Sequence, residues 1–158
     1  MKQPSKKTVN DGLKEQFLFP AEAKHLFKAR QIVEEIWAKE KLEPKEGRLV
    51  ALAVDEALTS IIRHAQGMKR PGIIDVKMYM DNVCFKVIIK DNTNAFDFNA
   101  LTEKEKMATL AKEKQYQLGV FLISTIMDEI NYRYLKGFQN ELQLTRFLDT
   151  KLLNENRP

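Results

Sequence analysis

The stretch VIIKDNTNAFDF, Val87 to Phe98, decides how this chain is read. Val87, Ile88 and Ile89 are β-branched and consecutive, which suits a buried strand. The run breaks at Asp91 into a turn of Asp, Asn and Thr, residues whose short side chains bond their own backbone, and resumes at Phe96. Most polar turns that end a buried strand only redirect the chain. The question is whether this one also holds a ligand.

Composition narrows the answer. A chain of 158 residues, 44% hydrophobic and 30% charged, fits one globular domain with a sizeable core. No apolar run approaches the roughly 20 residues that span a bilayer, and the opening MKQPSKKTVNDG lacks the apolar centre of a signal peptide. With a single cysteine, Cys84, no internal disulfide can form, so a cytoplasmic protein is expected. Cys84 itself reads as a small buried apolar side chain. The formal charge of +4 is modest, and acidic and basic residues are interleaved. No stripe of Lys and Arg with stacking aromatics argues for direct nucleic-acid binding.

Periodicity outlines the elements on either side of the turn. EQFLFP reads as a first strand stopped by Pro20, and Ala21 to about Lys39 as a helix through Leu26, Ala29, Val33, Ile36 and Trp37. KLEPKEG is a connector. A second helix is expected from about Arg48 to Ala65. Ile74, Val76, Met78 and Met80 alternate as a half-buried strand, Asp81–Asn82 makes a two-residue hairpin turn, and Val83 to Lys90 returns in mid-sheet. Asn99 to Gln117 is lysine-rich, a mobile segment or weakly docked helix. LGVFLISTIM is a short buried helix entered at Gly119, with Phe121 to Ile123 in the core, and two strands follow around Gly137. The expected fold is an α/β (α+β two-layer) sandwich, its sheet mixed but largely antiparallel, with helices on one face. Residues 1–15 are a flexible tail, 16–150 the folded domain and 151–158 a second tail.

Within the second helix, Glu56, Ser60 and Arg63 stand at i, i+4 and i+7, on one face beside the apolar stripe. A carboxylate one turn from a hydroxyl suits orienting a nucleophile beside a metal or phosphate. Taken in order, EALTSIIRHA, DNTNAFD, LGVFLISTIMDEINY and GFQNELQL resemble the histidine-kinase-like ATPase superfamily from about Phe17 to Leu148, and most of all its anti-sigma-factor, serine-protein-kinase branch. By that resemblance Glu56 matches the general base, and Asp91 the aspartate that recognises the adenine amino group. Phe96–Asp97, next to Ala95, repeats the aromatic–aspartate pair that closes the turn. Gly119, followed by Val120, matches a glycine at the phosphate-facing helix entrance. The charged 99–117 segment takes the place of the nucleotide lid, where Lys112 or Lys114 could neutralise phosphate.

The same alignment shows departures. Ser60 stands where the family has its magnesium-ligating asparagine, Thr93 and Ala95 stand where it has turn glycines, and Tyr116–Gln117 replaces a glycine pair. The resemblance therefore implies ATP and Mg²⁺ as ligands, Ser60 as the metal contact, and a sigma factor or its antagonist as partner. Members of the branch are often dimers, so a homodimer is among the expected assemblies. Two functions stay open: a partner-switching serine kinase, and a nucleotide-independent pseudo-ATPase module that sequesters the same partners. A sensor domain detached from a histidine kinase ranks last, since no phosphoacceptor hairpin precedes it in this sequence.

Overall fold

The computed structural model describes residues 12–65, 72–93, 114–135 and 139–148. Strand β1 (Leu13–Pro20) leads through one 3-10 turn (Ala23–His25) into helices α1 (Leu26–Lys39) and α2 (Pro44–Ala65). Strands β2 (Ile73–Met80) and β3 (Cys84–Asp91), helix α3 (Lys114–Ile126), and strands β4 (Glu129–Leu135) and β5 (Gln139–Phe147) follow. The strands form one sheet in the order β1-β2-β3-β5-β4. The α+β sandwich is as expected, but every pairing among the described residues is antiparallel, so the sheet is not mixed. The connections explain this. Two helical passes, an even number, separate β1 from β2 and bring β2 back in the opposite sense. The short β2–β3 turn reverses the chain again, and the pass through α3 carries β4 beyond the place that β5 takes beside β3.

The core lies between one face of the sheet and the helices. Alternation puts Ile74, Val76, Met78 and Met80 of β2 on that face with Phe85, Val87 and Ile89 of β3. Trp37, Val50, Val54 and Leu58 close over them from α1 and α2. Strand β3 lies between β2 and β5, as its apolar run predicts, one residue later than the sequence suggests. No helix among the described residues is long and apolar enough to cross a membrane.

Helix boundaries depart from the periodic reading where local chemistry decides them. Helix α2 starts at Pro44, so Pro44 to Gly47 are helical rather than connector. Proline is favoured at a first helical position, where its missing N–H leaves nothing unpaired. Helix α1 stops because Lys41 takes φ 54° and the Leu42 N–H returns to the Trp37 carbonyl at 3.1 Å. Helix α3 begins at Lys114, not Gly119. Lys, Gln and Leu ahead of Gly119 are good helix formers, and an internal glycine costs only about 1 kcal/mol. Its buried side is Ile123 and Ile126, while Phe121 is 65% exposed and so not in the core. The β2–β3 turn spans Asp81 to Val83, three residues, because Asp81 Oδ1 accepts both the Val83 and Cys84 N–H groups, at 2.7 and 2.8 Å. Cys84 is half-buried, and burial pushes its thiol up.

Arg146 ties the two layers together. From the core side of β5 its guanidinium donates to the Ile126 carbonyl, the last of α3, at 2.6 Å and to Glu46 Oε1, in the first turn of α2, at 3.2 Å. A cation at a helix C-terminus and an anion at a helix N-terminus each favour the local helix dipole.

Two outcomes follow from this packing. A Cβ at Gly47 would sit 2.8 Å from Cγ and 2.9 Å from Cβ of Trp37. Gly47→Ala, which in an open helix would add about 1 kcal/mol of stability, is therefore expected to cost roughly 1–3 kcal/mol, read from the urea midpoint. Second, the backbone bonds from Cys84 and Val83 lower the Asp81 pKa. A depressed carboxylate contributes stability above its unfolded value and loses it as pH falls through the folded one. The gap in Tm between the wild type and Asp81→Ala should be widest near neutral pH and shrink on acidification through the aspartate range.

Candidate functional site

Asp91 is the last residue of β3 and alternates with Ile89 and Val87, so it projects from the helix-covered face of the sheet. It lies between Ile74 of β2 and Asn140 of β5 and is only 4% exposed. Burying a carboxylate costs several kcal/mol unless donors surround it, and here they do. Asp91 Oδ1 accepts the Thr93 N–H at 3.1 Å, the Thr93 hydroxyl at 2.6 Å and the Asn140 amide Nδ2 at 3.2 Å. Among the described residues no hydrogen bond reaches Oδ2. Tyr132 of β4 donates its hydroxyl to Asn140 Oδ1 at 3.0 Å, extending the network to the sheet edge.

The turn beyond Asp91 is held from β2. Asn92 accepts the Ile73 N–H through its side chain at 2.7 Å. Thr93 is buried and does not need the positive φ that glycine would permit, since Lys41 is the one described non-glycine residue with φ above zero. Its methyl group fills the space beside Gly72, where an added Cβ would come within 2.3 Å of Thr93 Cγ2.

Helix α2 lies between α1 and α3. Asp55 faces α1, its Oδ1 3.4 Å from Arg30 Nε. Burial raises the Asp55 pKa and the Arg30 charge partly offsets that rise. Ser60 stands about 140° round the helix from Asp55, and Glu56 about 100°, so both lie on a flank turned away from α1. Both are half-buried, and Arg63 is exposed. Glu56 and Asp91 thus share the helix side of the sheet. A carboxylate and a hydroxyl one turn apart suffice for a cation that takes most of its oxygens from phosphates and water, as Mg²⁺ does. Among the described residues no three His, Cys, Asp or Glu side chains converge on a metal position of their own.

The remaining sequence assignments divide in two. Ala95, Phe96, Asp97 and Lys112 lie outside the described residues. Gly119 and Val120 lie inside α3, and Val120 is 45% exposed. Gly119 is the sixth residue of the helix rather than its entrance. Sequence reasoning missed Asn140 and Tyr132. The signal was present: in GFQNELQL, Asn140 shares the two-residue period of Leu142 and Leu144, and a polar residue on the apolar face of a strand needs a partner.

Comparison with known proteins places this geometry. The fold is similar to a chain of the SiaB–SiaC complex from Pseudomonas aeruginosa, with a TM-score of 0.61 and 14% identity over 89% of this chain and 93% of that one. In sequence the chain is similar to the serine-protein kinase RsbW of Listeria innocua, 27% identical over 109 residues that make up 66% of this chain and 68% of the relative. The RsbW of Staphylococcus aureus MRSA252 is 28% identical over 112 residues, with the same shares covered. The family model of the histidine kinase-like ATPase domain matches residues 19–146, from the end of β1 through Arg146, and so spans Glu56, Asp91 and Asn140 together. The chain belongs to the histidine kinase-like ATPase domain family.

Proposed function

We propose that this protein is an ATP-binding regulator of the anti-sigma-factor, serine-protein-kinase kind, acting by partner switching. The observation that carries the reading is the Asp91 carboxylate: buried, anchored through Oδ1 by three donors, and set on the same side of the sheet as Glu56. An acceptor held in that way suits the amino group of adenine. Glu56 would take the proton of an attacking serine hydroxyl, a role that needs a carboxylate within hydrogen-bond reach of the nucleophile. Ser60 would hold Mg²⁺ directly or through water, and the metal, when bound with ATP, supplies charge neutralisation on the phosphates. Lys112 or Lys114, the latter the first residue of α3, would supply a cation to the same phosphates.

The partners in this reading are a sigma factor and its antagonist, and a homodimer is the expected assembly. A second reading, a nucleotide-independent pseudo-ATPase that sequesters those partners, draws on one observation. Ser60 is a shorter and weaker metal ligand than the asparagine the family carries there.

Calorimetric titration with ATP and ADP, with and without Mg²⁺, separates the two readings. Nucleotide binding is expected, with little gain from Mg²⁺ in the wild type and a larger gain in Ser60→Asn, whose carbonyl reaches farther. Absence of heat with either nucleotide in both proteins would leave the pseudo-ATPase. A pull-down from native cytosol tests the partner. A sigma factor or its antagonist should be recovered by both the wild type and Glu56→Ala, while serine phosphorylation of the antagonist should vanish in Glu56→Ala. Recovery of neither partner would sink the partner-switching reading.

A further inference from the structure

We infer that β4 is the docking edge for a second copy of this chain. The two β4 strands pair antiparallel about Asn131 and join two five-stranded sheets into one. The inference goes beyond the function proposed above and depends on neither nucleotide nor sigma factor.

The sheet ends in two edges, β1 and β4, and they differ. Edge strands are commonly blunted against pairing by proline, bulges or charge. Strand β1 carries such devices: Pro20 at its end, a register shift between Leu13 and Glu15, and Lys14, Glu15 and Gln16 exposed in a row. Strand β4 has no proline, and its register runs unbroken from Glu129 opposite Thr145 to Leu135 opposite Gln139. It also presents two apolar side chains, Ile130 at 42% and Tyr132 at 38% exposure. Main-chain groups alternate between the two neighbours of a strand. The Leu148 N–H meets the Val83 carbonyl at 2.8 Å, so even-numbered residues of β5 bond toward β3 and odd-numbered ones toward β4. Glu129, Asn131 and Arg133, opposite Thr145, Gln143 and Glu141, therefore bond inward. Ile130 and Tyr132 direct their main-chain groups to the outer side.

The edge is complementary to itself. A two-fold axis through Asn131 sets Glu129 of each copy opposite Arg133 of the other, and Ile130 opposite Tyr132. Opposite charges and aromatic–β-branched contacts are the cross-strand pairs that stabilise antiparallel strands. The apolar pairs fall on the helix side, which Ile130 and Tyr132 share with Leu144 and Leu142, and the charged pairs on the other face. An axis at Ile130 or at Tyr132 also suits the backbone, but it leaves Glu129 opposite Asn131 or Leu135 and Arg133 opposite no acid. Charge thus selects the register. The Tyr132 hydroxyl already donates to Asn140 Oδ1 at 3.0 Å, so its ring is ordered before a second copy arrives. Arg133 is 69% exposed and lies 3.9 Å from Glu141, beyond hydrogen-bond range, which leaves its guanidinium able to reach across the edge.

The paired stretch is far shorter than the roughly 20 residues a side of a standard interface, so a reversible dimer in the micromolar range is expected. Sedimentation velocity of the full chain over a concentration series is the test. Arg133→Glu and Glu129→Arg each set like charges opposite one another, and each should weaken the dimer by about tenfold or more. Mixing these two variants should restore it, because one copy then offers only acids at both positions and the other only arginines. Ile130→Lys should abolish the dimer with Glu129 and Arg133 unchanged. Thermal unfolding checks that each variant keeps its fold, and if Ile130→Lys does not fold the mixture still decides. A dimer unchanged in all the variants lies on another face and overturns the inference, as does loss in the single variants without rescue in the mixture. A wild type that stays monomeric at about 0.5 mM also overturns it and leaves the edge to a strand of a different protein. None of these outcomes bears on the nucleotide titration, so the function proposed above stands or falls separately.

Discussion

Arg146 is the constraint through which the helices acquire a fixed place on the sheet. It projects toward the core side of β5, between the first turn of α2 and the last carbonyl of α3, and bonds to both. Neither bond is large alone: a half-exposed ion pair contributes at most about 1 kcal/mol, and a charged hydrogen bond about 1.5–3 kcal/mol. Their value is geometric. Around the same point the Asp128 N–H reaches the Thr145 carbonyl and the Asp128 carboxylate accepts the Phe147 N–H, so the α3–β4 turn is stitched to β5. The two helices that carry Glu56, Ser60, Gly119 and Val120, packed on the sheet through the apolar core, are joined at their ends by one side chain of β5.

The other end of β5 carries Asn140, and there the polar interior begins. Along the core face of β5 the residues run Asn140, Leu142, Leu144 and Arg146: polar at both ends and apolar between. The apolar middle supplies burial, while each polar end must find partners within the fold. At one end these are helix termini. At the other they are Asp91 and Tyr132. Antiparallel register makes the second cluster possible, because Asp91 pairs with Asn140 on one side and Ile74 on the other. The candidate recognition site is thus a product of strand pairing rather than of any one loop.

The fold was legible in the sequence wherever a period ran long. The alternation of Ile74, Val76, Met78 and Met80 and the stripe from Val50 to Ile61 gave strand and helix of the right type, and Val87 to Ile89 correctly marked a strand in mid-sheet. Boundaries were less legible, because single-residue chemistry sets them: Pro44 opening α2, Lys41 closing α1, Asp81 lengthening a turn. The largely antiparallel sense of the sheet was anticipated; that every described pairing is antiparallel depends on the connections and on no local pattern. In the candidate site, Glu56 and Asp91 were singled out through motif resemblance, and both lie on the helix side of the sheet. Asn140 and Tyr132 were not, since their role exists only once β3, β5 and β4 lie side by side.

Adjacent acids on α2 show how little a motif says without its environment. Asp55 and Glu56 are neighbours in sequence, yet about 100° apart around the helix. Asp55 faces α1, where burial raises its pKa and Arg30 offsets part of the rise. A carboxyl whose folded pKa lies above its unfolded value opposes folding at neutral pH, and the opposition fades as pH falls. The Arg30 contact limits that cost and fixes α1 against α2. Glu56 has no such contact with α1 to satisfy, because the helix turns it to the other flank. Adjacent positions thereby place one acid against α1 and the other on a different flank of the same helix. A substitution at either position must be judged by the flank it occupies, not by its neighbour in the sequence.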